Sequence, residues 1–210
     1  MRVIVIGATG TIGREVARAL QVGHEVVTAS RSGGALRVDL AESDSIEAMF
    51  RQAGSFDAVV CAAGAARFGP LAELGEDDFL FSLRNKLMGQ VNLVRIGYRF
   101  INDNGSFTLT SGILAREPMP GSSAISMVNA GLEGFVRAAQ LELGRGVRVN
   151  VVSPVWVQET LVALGRDPAG GMPAVQVARA YLASVTGTMR GMVLDVRDYV
   201  RKGSGPPSSG

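Results

Sequence analysis

MRVIVIGATGTIG, residues 1–13, carries the strongest structural signal in this sequence. Its β-branched run from Val3 to Ile6 predicts a strand that is buried on both faces of a sheet. Three glycines follow, Gly7, Gly10 and Gly13, and an apolar helical pattern begins directly behind them. A strand, a glycine turn and a helix in this order indicate a dinucleotide-binding site. The alternative is a glycine-rich turn that binds nothing, and the helix behind the turn favours the binding site.

Each glycine of this turn has a separate expected role. Gly7 permits the tight turn, Gly10 lets the backbone approach a pyrophosphate, and Gly13 lets the helix pack closely on the strand. The start of the helix adds free N–H groups and the positive end of the helix dipole, both of which attract phosphates. The residues expected to bind the cofactor here are Gly7, Thr9, Gly10, Thr11, Ile12 and Gly13.

The composition argues against several classes of protein. A length of 210 residues suits one domain, and a formal net charge of +2 gives no reason to expect a nucleic-acid partner. One cysteine, Cys61, and one histidine cannot supply a zinc site, and Cys61 lies in an apolar run typical of a buried structural thiol. No apolar run reaches membrane length and no signal peptide precedes the first strand, so we expect a cytoplasmic protein without a membrane partner.

Strands alternate with helical patterns along the whole chain, which predicts an α/β protein. We expect a single Rossmann-type, doubly wound domain over residues 1–202, with a seven-stranded, mostly parallel sheet and helices on both faces. Apolar periodicity predicts one long helix over residues 76–100. A turn is predicted over 102–105, before a strand over 106–110, and Ser43 is predicted to cap a helix over 43–53. Residues 203–210, GSGPPSSG, predict a flexible low-complexity tail.

The end of the second predicted strand bears on which dinucleotide binds. Sites for NAD usually place an acidic residue there, where it binds a ribose hydroxyl. This chain instead has Ser30, Arg31 and Ser32, and an arginine can pair with the 2′-phosphate of NADP, which a carboxylate would repel. The charge therefore favours NADP(H) over NAD(H). The alternative is that Arg31 is an ordinary arginine of a surface turn.

Several further motifs, together with the glycine turn, resemble the short-chain dehydrogenase/reductase family over about residues 1–196. They are Asp39-Leu40, Ala62-Ala63-Gly64, Ser111, Asn129–Gly134 and Val149–Pro154. The resemblance implies that Asp39 contacts the adenine ring, that Ala62 to Gly64 line the adenosine, and that Pro154 and Val155 flank the nicotinamide. The cofactor-binding residues expected beyond the glycine turn are Ser30, Arg31, Ser32, Asp39, Leu40, Ala62, Ala63, Gly64, Lys86, Pro154, Val155 and Val157.

The catalytic residues of that family are a serine, a tyrosine, a lysine four residues after the tyrosine, and an asparagine. This chain departs from that pattern, because none of its tyrosines, Tyr98, Tyr181 and Tyr199, has a lysine four residues later. Tyrosine and lysine must lie one helical turn apart for both to face one site. The usual tyrosine-dependent proton transfer is therefore not expected here.

An alignment with the family's lysine helix places Asn129 in the lysine position and Ile125 in the tyrosine position. The family's asparagine position, three residues before a helix glycine, holds Lys86. This exchange of lysine and asparagine is similar to the ketoreductase domains of polyketide synthases, which keep the tyrosine. The candidate catalytic residues are therefore Ser111, Lys86 and Asn129. The alternatives are a solvated surface lysine, a role for Asn85 in place of Lys86, and a serine that only caps a turn.

Two functions follow from these observations. The first is an NADP(H)-dependent oxidoreductase of the short-chain type that acts on a small carbonyl, enone or imine compound by hydride transfer, with atypical proton-transfer residues. The second is a non-reductive NADP(H)-binding protein, which would be a sensor, a structural protein or a redox-neutral catalyst. The expected partner is a small-molecule substrate, with no metal. The resemblance also implies a homodimer or homotetramer, formed through the helices over residues 76–100 and 123–143.

Overall fold

Seven strands form one sheet in the computed structural model, which describes residues 1–200. They are β1 (Arg2–Ile6), β2 (Glu25–Ser30), β3 (Leu36–Arg37), β4 (Phe56–Cys61), β5 (Ile101–Thr110), β6 (Arg148–Ser153) and β7 (Val193–Asp195). Their order across the sheet is β3-β2-β1-β4-β5-β6-β7, and every pairing is parallel. The doubly wound α/β fold is confirmed, and the sheet is entirely rather than mostly parallel.

Helices cover both faces of this sheet. They are α1 (Thr11–Leu20), α2 (Ser43–Ala53), α3 (Glu76–Ser82), α4 (Gly89–Gly97), α5 (Ser123–Glu142), α6 (Gln158–Ala163), α7 (Ala174–Thr186) and α8 (Arg197–Val200). One hydrophobic core joins the sheet to α2, α4 and α5, and a second joins it to α1 and α7. Ile4 and Ile6 enter the first core, whereas Val3 and Val5 enter the second. β1 therefore has to be apolar at successive positions, because alternate side chains face opposite cores.

The long helix predicted over residues 76–100 is interrupted in the structure. A π-helical turn, Leu83–Met88, separates α3 from α4, and it contains both Asn85 and Lys86. The side-chain amide of Asn85 donates a hydrogen bond to the carbonyl oxygen of Phe81, at 3.0 Å. A π turn adds one residue to a helical turn and shifts the phase of everything after it. A search for one apolar period along the whole segment cannot detect that shift.

Two other local predictions were wrong. No turn precedes β5, because β5 already begins at Ile101, which pairs with Phe56. The pairing of β4 with β5 shifts its register over the residues that were predicted as a turn, and Asn104 in this segment has a φ of 62°. Glu42, not Ser43, is the N-cap of α2, and no side chain caps this helix. The predicted tail over residues 203–210 lies outside the described residues.

The ligand edge of the sheet lies at its topological switch point. The chain leaves β1 toward β2 and β3 on one side, and later resumes at β4 on the other side of β1. Because the loops after β1 and β4 run in opposite directions, a cleft forms between the carboxyl ends of these two strands. None of the helices within residues 1–200 is both long enough and apolar enough to span a bilayer.

Candidate functional site

The glycine turn after β1 is packed so tightly that two of its positions require glycine. Gly7 has a φ of +84°, and a Cβ atom there would lie 2.9 Å from the carbonyl oxygen of Ala62. A Cβ atom on Gly13 would lie only 2.0 Å from the carbonyl oxygen of Gly7. Gly10 is the N-cap of α1 and has no side chain with which to cap it. The first-turn N–H groups of α1 are therefore left for a ligand.

A cavity of about 440 Å³ lies beside this turn at the switch point. Many of the residues expected to bind the cofactor line it: Gly7, Thr9, Gly10, Ser30, Arg31, Ser32, Asp39, Leu40, Ala62, Ala63 and Gly64. Phe81 and Asn85 complete the wall on the side of α3 and the π turn. Thr11 and Gly13 are not among the lining residues, and Gly13 instead brings α1 against the turn.

The far end of this cavity carries positive charge. Arg31 is exposed at its rim, and the guanidinium of Arg37 donates a hydrogen bond to the Arg31 carbonyl oxygen at 3.1 Å. Within residues 1–200, neither arginine forms an ion pair with a carboxylate. Arg31, which lines the cavity, is therefore available to a bound anion, and Arg37 lies beside it. Sequence reasoning did not single out Arg37, because it comes next to Arg31 only through the pairing of β2 with β3.

A second cavity, of about 240 Å³, lies at the carboxyl ends of β4, β5 and β6. It shares Ala62, Ala63 and Gly64 with the first cavity, so the two cavities adjoin along this segment. Other residues expected in the site line it as well, namely Ile12, Lys86, Ser111, Asn129, Pro154, Val155 and Val157. The structure thus brings together all three candidate catalytic side chains. Ile125, Trp156 and Thr160 also line this cavity.

Lys86 reaches the second cavity from the π turn. Its Nζ donates a hydrogen bond to the carbonyl oxygen of Ser111 at 3.1 Å. Gly64 leaves room for the lysine stem, because a Cβ atom there would lie 3.1 Å from the Lys86 Cγ. Burial among protein atoms lowers the pKa of Lys86 to about 8, since desolvation disfavours the ammonium form. A lysine with this pKa can both give and take a proton near neutral pH.

Asn129 of α5 holds a buried polar atom without a partner. Only 1% of this residue is exposed, and its Oδ1 has no hydrogen-bond partner within residues 1–200. Gly112 makes room for its amide, because a Cβ atom at Gly112 would lie 2.9 Å from the Asn129 Nδ2. Buried polar atoms in folded proteins are nearly always hydrogen-bonded. Asn129 therefore brings an acceptor without a protein partner within residues 1–200 to the wall of the second cavity.

No tyrosine among residues 1–200 lines either cavity. Tyr181 is fully buried behind β5, where its hydroxyl lies 2.7 Å from the Thr110 Oγ1, and burial raises its pKa. The hydroxyl of Tyr98 accepts a hydrogen bond from the backbone N–H of Gly144 instead. Cys61 is also buried, and desolvation raises the pKa of its thiol to about 12. None of these groups is placed to supply a proton in the cleft.

Sequence reasoning missed two residues that shape the second cavity. Gln90 is fully buried and clamps the end of β5, because its amide oxygen accepts from the Thr110 N–H at 2.7 Å and its amide nitrogen donates to the Thr110 carbonyl at 2.9 Å. Glu133 is 4% exposed and accepts a hydrogen bond from the Ser111 hydroxyl at 3.2 Å. One signal was present, since Glu133 follows Asn129 by one helical turn and shares its face of α5.

Known proteins match this chain over most of its length. A family model described as enoyl-(acyl carrier protein) reductase matches residues 11–188. Hydroxynaphthalene reductase arp2 of Aspergillus fumigatus is 28% identical over 182 residues, which cover 80% of this chain and 66% of that protein. The 3-oxoacyl-(acyl-carrier-protein) reductase of Mus musculus is 29% identical over 175 residues, 73% of this chain and 74% of that protein.

Solved structures share the whole fold. The protein lin1944 from Listeria innocua is 40% identical, with a TM-score of 0.90 over 93% of this chain and 99% of that chain. A small-chain dehydrogenase solved in complex with NADPH is 28% identical, with a TM-score of 0.82 over 93% of this chain and 95% of that chain. These matches, the parallel sheet order and the glycine turn together show that the chain belongs to the short-chain dehydrogenase/reductase family of oxidoreductases.

Proposed function

We propose that this protein is an NADP(H)-dependent oxidoreductase that transfers a hydride to or from a small carbonyl, enone or imine compound, with Lys86 rather than a tyrosine transferring the proton. The observation that carries the proposal is the convergence of three polar side chains on one cavity. Lys86, Ser111 and Asn129 line it, and it adjoins the cavity beside the glycine turn. A substrate in this cavity would therefore lie against one end of a bound dinucleotide.

The residues present fit a nicotinamide dinucleotide. The turn from Gly7 to Gly13 and the uncapped start of α1 suit a pyrophosphate, and the unpartnered Oδ1 of Asn129 suits a ribose hydroxyl. Asp39 and Leu40 would hold the adenine side, and Pro154, Val155 and Val157 the nicotinamide side. When bound, the cofactor supplies the hydride. A related small-chain dehydrogenase was solved with NADPH, which agrees with this fit.

The chain's own residues would orient the substrate and move the proton. The Ser111 hydroxyl would form a hydrogen bond with the polar group of the substrate, which fixes its position. Lys86 would give a proton from Nζ to the substrate heteroatom in the reductive direction and take it back in the oxidative direction. Ile125 and Trp156 add apolar wall that would limit the access of water to this step.

Two measurements test this function. Titration with NADPH and NADH measures cofactor binding, and the loss of NADPH absorbance measures turnover with a panel of small ketones, enones and imines. We expect NADPH to bind and at least one class of compound to accelerate its oxidation. Unchanged rates in both Lys86→Ala and Ser111→Ala variants would contradict the assignment of the site.

The apolar Ile125 favours a second candidate function. This residue lines the cavity, and the sequence motif of α5 predicts that it takes the family's tyrosine position, where a hydrocarbon would replace the usual hydroxyl acid. A non-reductive NADP(H)-binding protein would need no acid there. Binding of NADPH without oxidation or reduction of the cofactor by any of the panel compounds would support this second function.

Arg31 provides a test of cofactor preference. Arg31→Glu should weaken NADPH binding about 10- to 100-fold, since it removes one charge-assisted contact to the 2′-phosphate and adds repulsion. NADH affinity should change far less, because NADH has no 2′-phosphate. The matched control is Arg190→Glu, which makes the same charge change at an exposed arginine outside both cavities. Equal losses of NADPH and NADH affinity would show that Arg31 does not bind the 2′-phosphate.

We also propose a homodimer that forms through α3, the π turn and α5. These elements expose Leu80 (44%), Met88 (44%) and Met127 (41%), and α3 and α5 are in contact. Exposed apolar groups on neighbouring elements are typical of an interface. Light scattering should give a dimer mass, and Met88→Glu with Met127→Glu should give a monomer. The control is Val22→Glu, at a 90% exposed residue on another surface, and a monomeric wild-type protein would contradict the proposal.

A further inference from the structure

A buried carboxylate, that of Glu133, accepts a hydrogen bond from the Ser111 hydroxyl. Glu133 Oε1 accepts that hydrogen bond at 3.2 Å. The guanidinium groups of Arg116 and Arg137 lie farther from its oxygens, at 3.7 and 3.6 Å. Ser111 is therefore the only hydrogen-bond donor to Glu133 within residues 1–200. Because burying a carboxylate without hydrogen bonds is costly, this contact holds the serine proton toward the protein.

The second neighbour of this hydroxyl is also an acceptor. The Ser111 Oγ lies 3.5 Å from the carbonyl oxygen of Val152, and no group within residues 1–200 donates a hydrogen bond to this Oγ. A hydroxyl has one proton and two lone pairs. The Glu133 carboxylate and the Val152 carbonyl oxygen can both accept the serine proton, and neither can donate to the lone pairs of the Ser111 Oγ. Since Ser111 also lines the second cavity, the serine presents an acceptor to whatever lies there.

We propose that Glu133 is a positioning residue that fixes Ser111 as a hydrogen-bond acceptor, so that the substrate group bound at Ser111 carries a proton. This inference rests on the proposed function, and it narrows the substrate. Of a redox pair, the alcohol or amine form fits the second cavity better than the carbonyl or imine form. The bond to Glu133 thus opposes the donation of a serine hydrogen bond to a carbonyl oxygen. An alcohol has one hydroxyl proton, so the proton that it donates to Ser111 on binding has to turn toward the neutral Lys86 amine before that amine can take it.

The first test compares a matched pair of probes, cyclohexanol and cyclohexanone. Calorimetry measures cyclohexanol binding to the NADPH complex and cyclohexanone binding to the NADP⁺ complex, since neither combination can transfer a hydride. The wild-type protein should prefer the alcohol. Glu133→Ala frees the serine proton, so the ratio of the two dissociation constants should move about tenfold toward the ketone. A purely structural role would weaken both probes equally, and equal changes would overturn the proposal.

Three variants separate the hydrogen bond from charge and folding. Arg137→Gln removes a neighbouring charge and keeps the Ser111–Glu133 bond, so the preference should not change. In a Ser111→Ala background, Glu133→Ala should no longer alter the ratio. If the Glu133→Ala protein does not fold, Glu133→Gln can replace it in this test, because glutamine has nearly the same shape as glutamate. Its amide nitrogen can donate to Ser111, and the preference should again move toward the ketone.

Infrared spectroscopy tests the same bond without any ligand. The difference spectrum between the wild-type protein and Ser111→Ala should contain a shifted carboxylate stretch, because Glu133 loses its only hydrogen-bond donor within residues 1–200. The same difference measured in a Glu133→Gln background should lack that band. An unshifted carboxylate stretch would overturn the proposal, even if neither cyclohexanol nor cyclohexanone binds to the protein. A protein that transfers no hydride contradicts the proposed function alone, since none of these measurements depends on turnover.

Discussion

Lys86→Met should lower turnover with NADPH by roughly 10²- to 10⁴-fold, the usual contribution of a positioned acid or base. The methionine has a similar length and no proton to give. Because desolvation disfavours the charged form of the half-buried ammonium group in the folded state, its removal should not unfold the protein. NADPH affinity should change much less than turnover, since the glycine turn and Arg31 are unaltered. Steady-state rates together with an NADPH titration separate the two effects.

The rates of reduction and oxidation should depend on pH in opposite directions. Lys86 has a pKa of about 8, below the usual lysine value, because burial disfavours its charged form. Reduction of a carbonyl needs the ammonium form, so the rate should fall as the pH rises through about 8. Oxidation of an alcohol needs the neutral amine, and its rate should rise over the same interval. Lys86→Arg should lose both transitions, because a guanidinium stays protonated.

Arg84→Met is the matched control for these measurements. Arg84 is exposed on the same π turn, and its replacement removes the same charge without reaching either cavity. Its turnover and pH profile should equal those of the wild-type protein. If Lys86→Met and Arg84→Met behave alike, or if the pH transition survives in Lys86→Met, another group transfers the proton.

Gly13→Ala is expected to damage both stability and cofactor binding. The added Cβ would lie 2.0 Å from the Gly7 carbonyl oxygen and 2.6 Å from its carbon, and backbone atoms cannot rotate away as a side chain can. Overpacking of this kind costs about 1–3 kcal/mol of unfolding free energy or more. At roughly 2–4 °C per kcal/mol for a chain of this size, the Tm should fall by several degrees. NADPH should bind about tenfold more weakly or worse, because Gly7 must move.

Gly23→Ala makes the same chemical change where there is space. A Cβ atom at Gly23 would meet no atom within 4 Å, so the Tm and NADPH affinity should remain close to those of the wild-type protein. Thermal unfolding and an NADPH titration of the two variants are sufficient for the comparison. A Gly13→Ala protein with wild-type Tm and affinity would contradict the close packing of α1 on the turn.

The fold and the cofactor half of the cleft could be predicted from the sequence because their signals are local. The β-branched run of β1 and the glycines behind it are continuous in the chain, and the strand ends that follow each carry a short motif. The position of Arg31 beside the first cavity could be predicted in the same way, from its place at the end of β2. The π turn escaped prediction because it is an irregularity in one helix, and the start of β5 at Ile101 because strand pairing sets it.

The sequence by itself determined the parallel sheet, the glycine turn and the edge of the sheet where a dinucleotide belongs, since these depend on residue patterns within single elements. Only the tertiary structure decided how the polar groups of the second cavity are paired. Lys86 contacts Ser111 across 25 residues, and Ser111 contacts Glu133 across 22. The direction of a hydroxyl's hydrogen bond depends on which groups surround it in space. That is why the sequence could name Ser111 as a candidate, whereas only the buried Glu133 indicates which way its proton points.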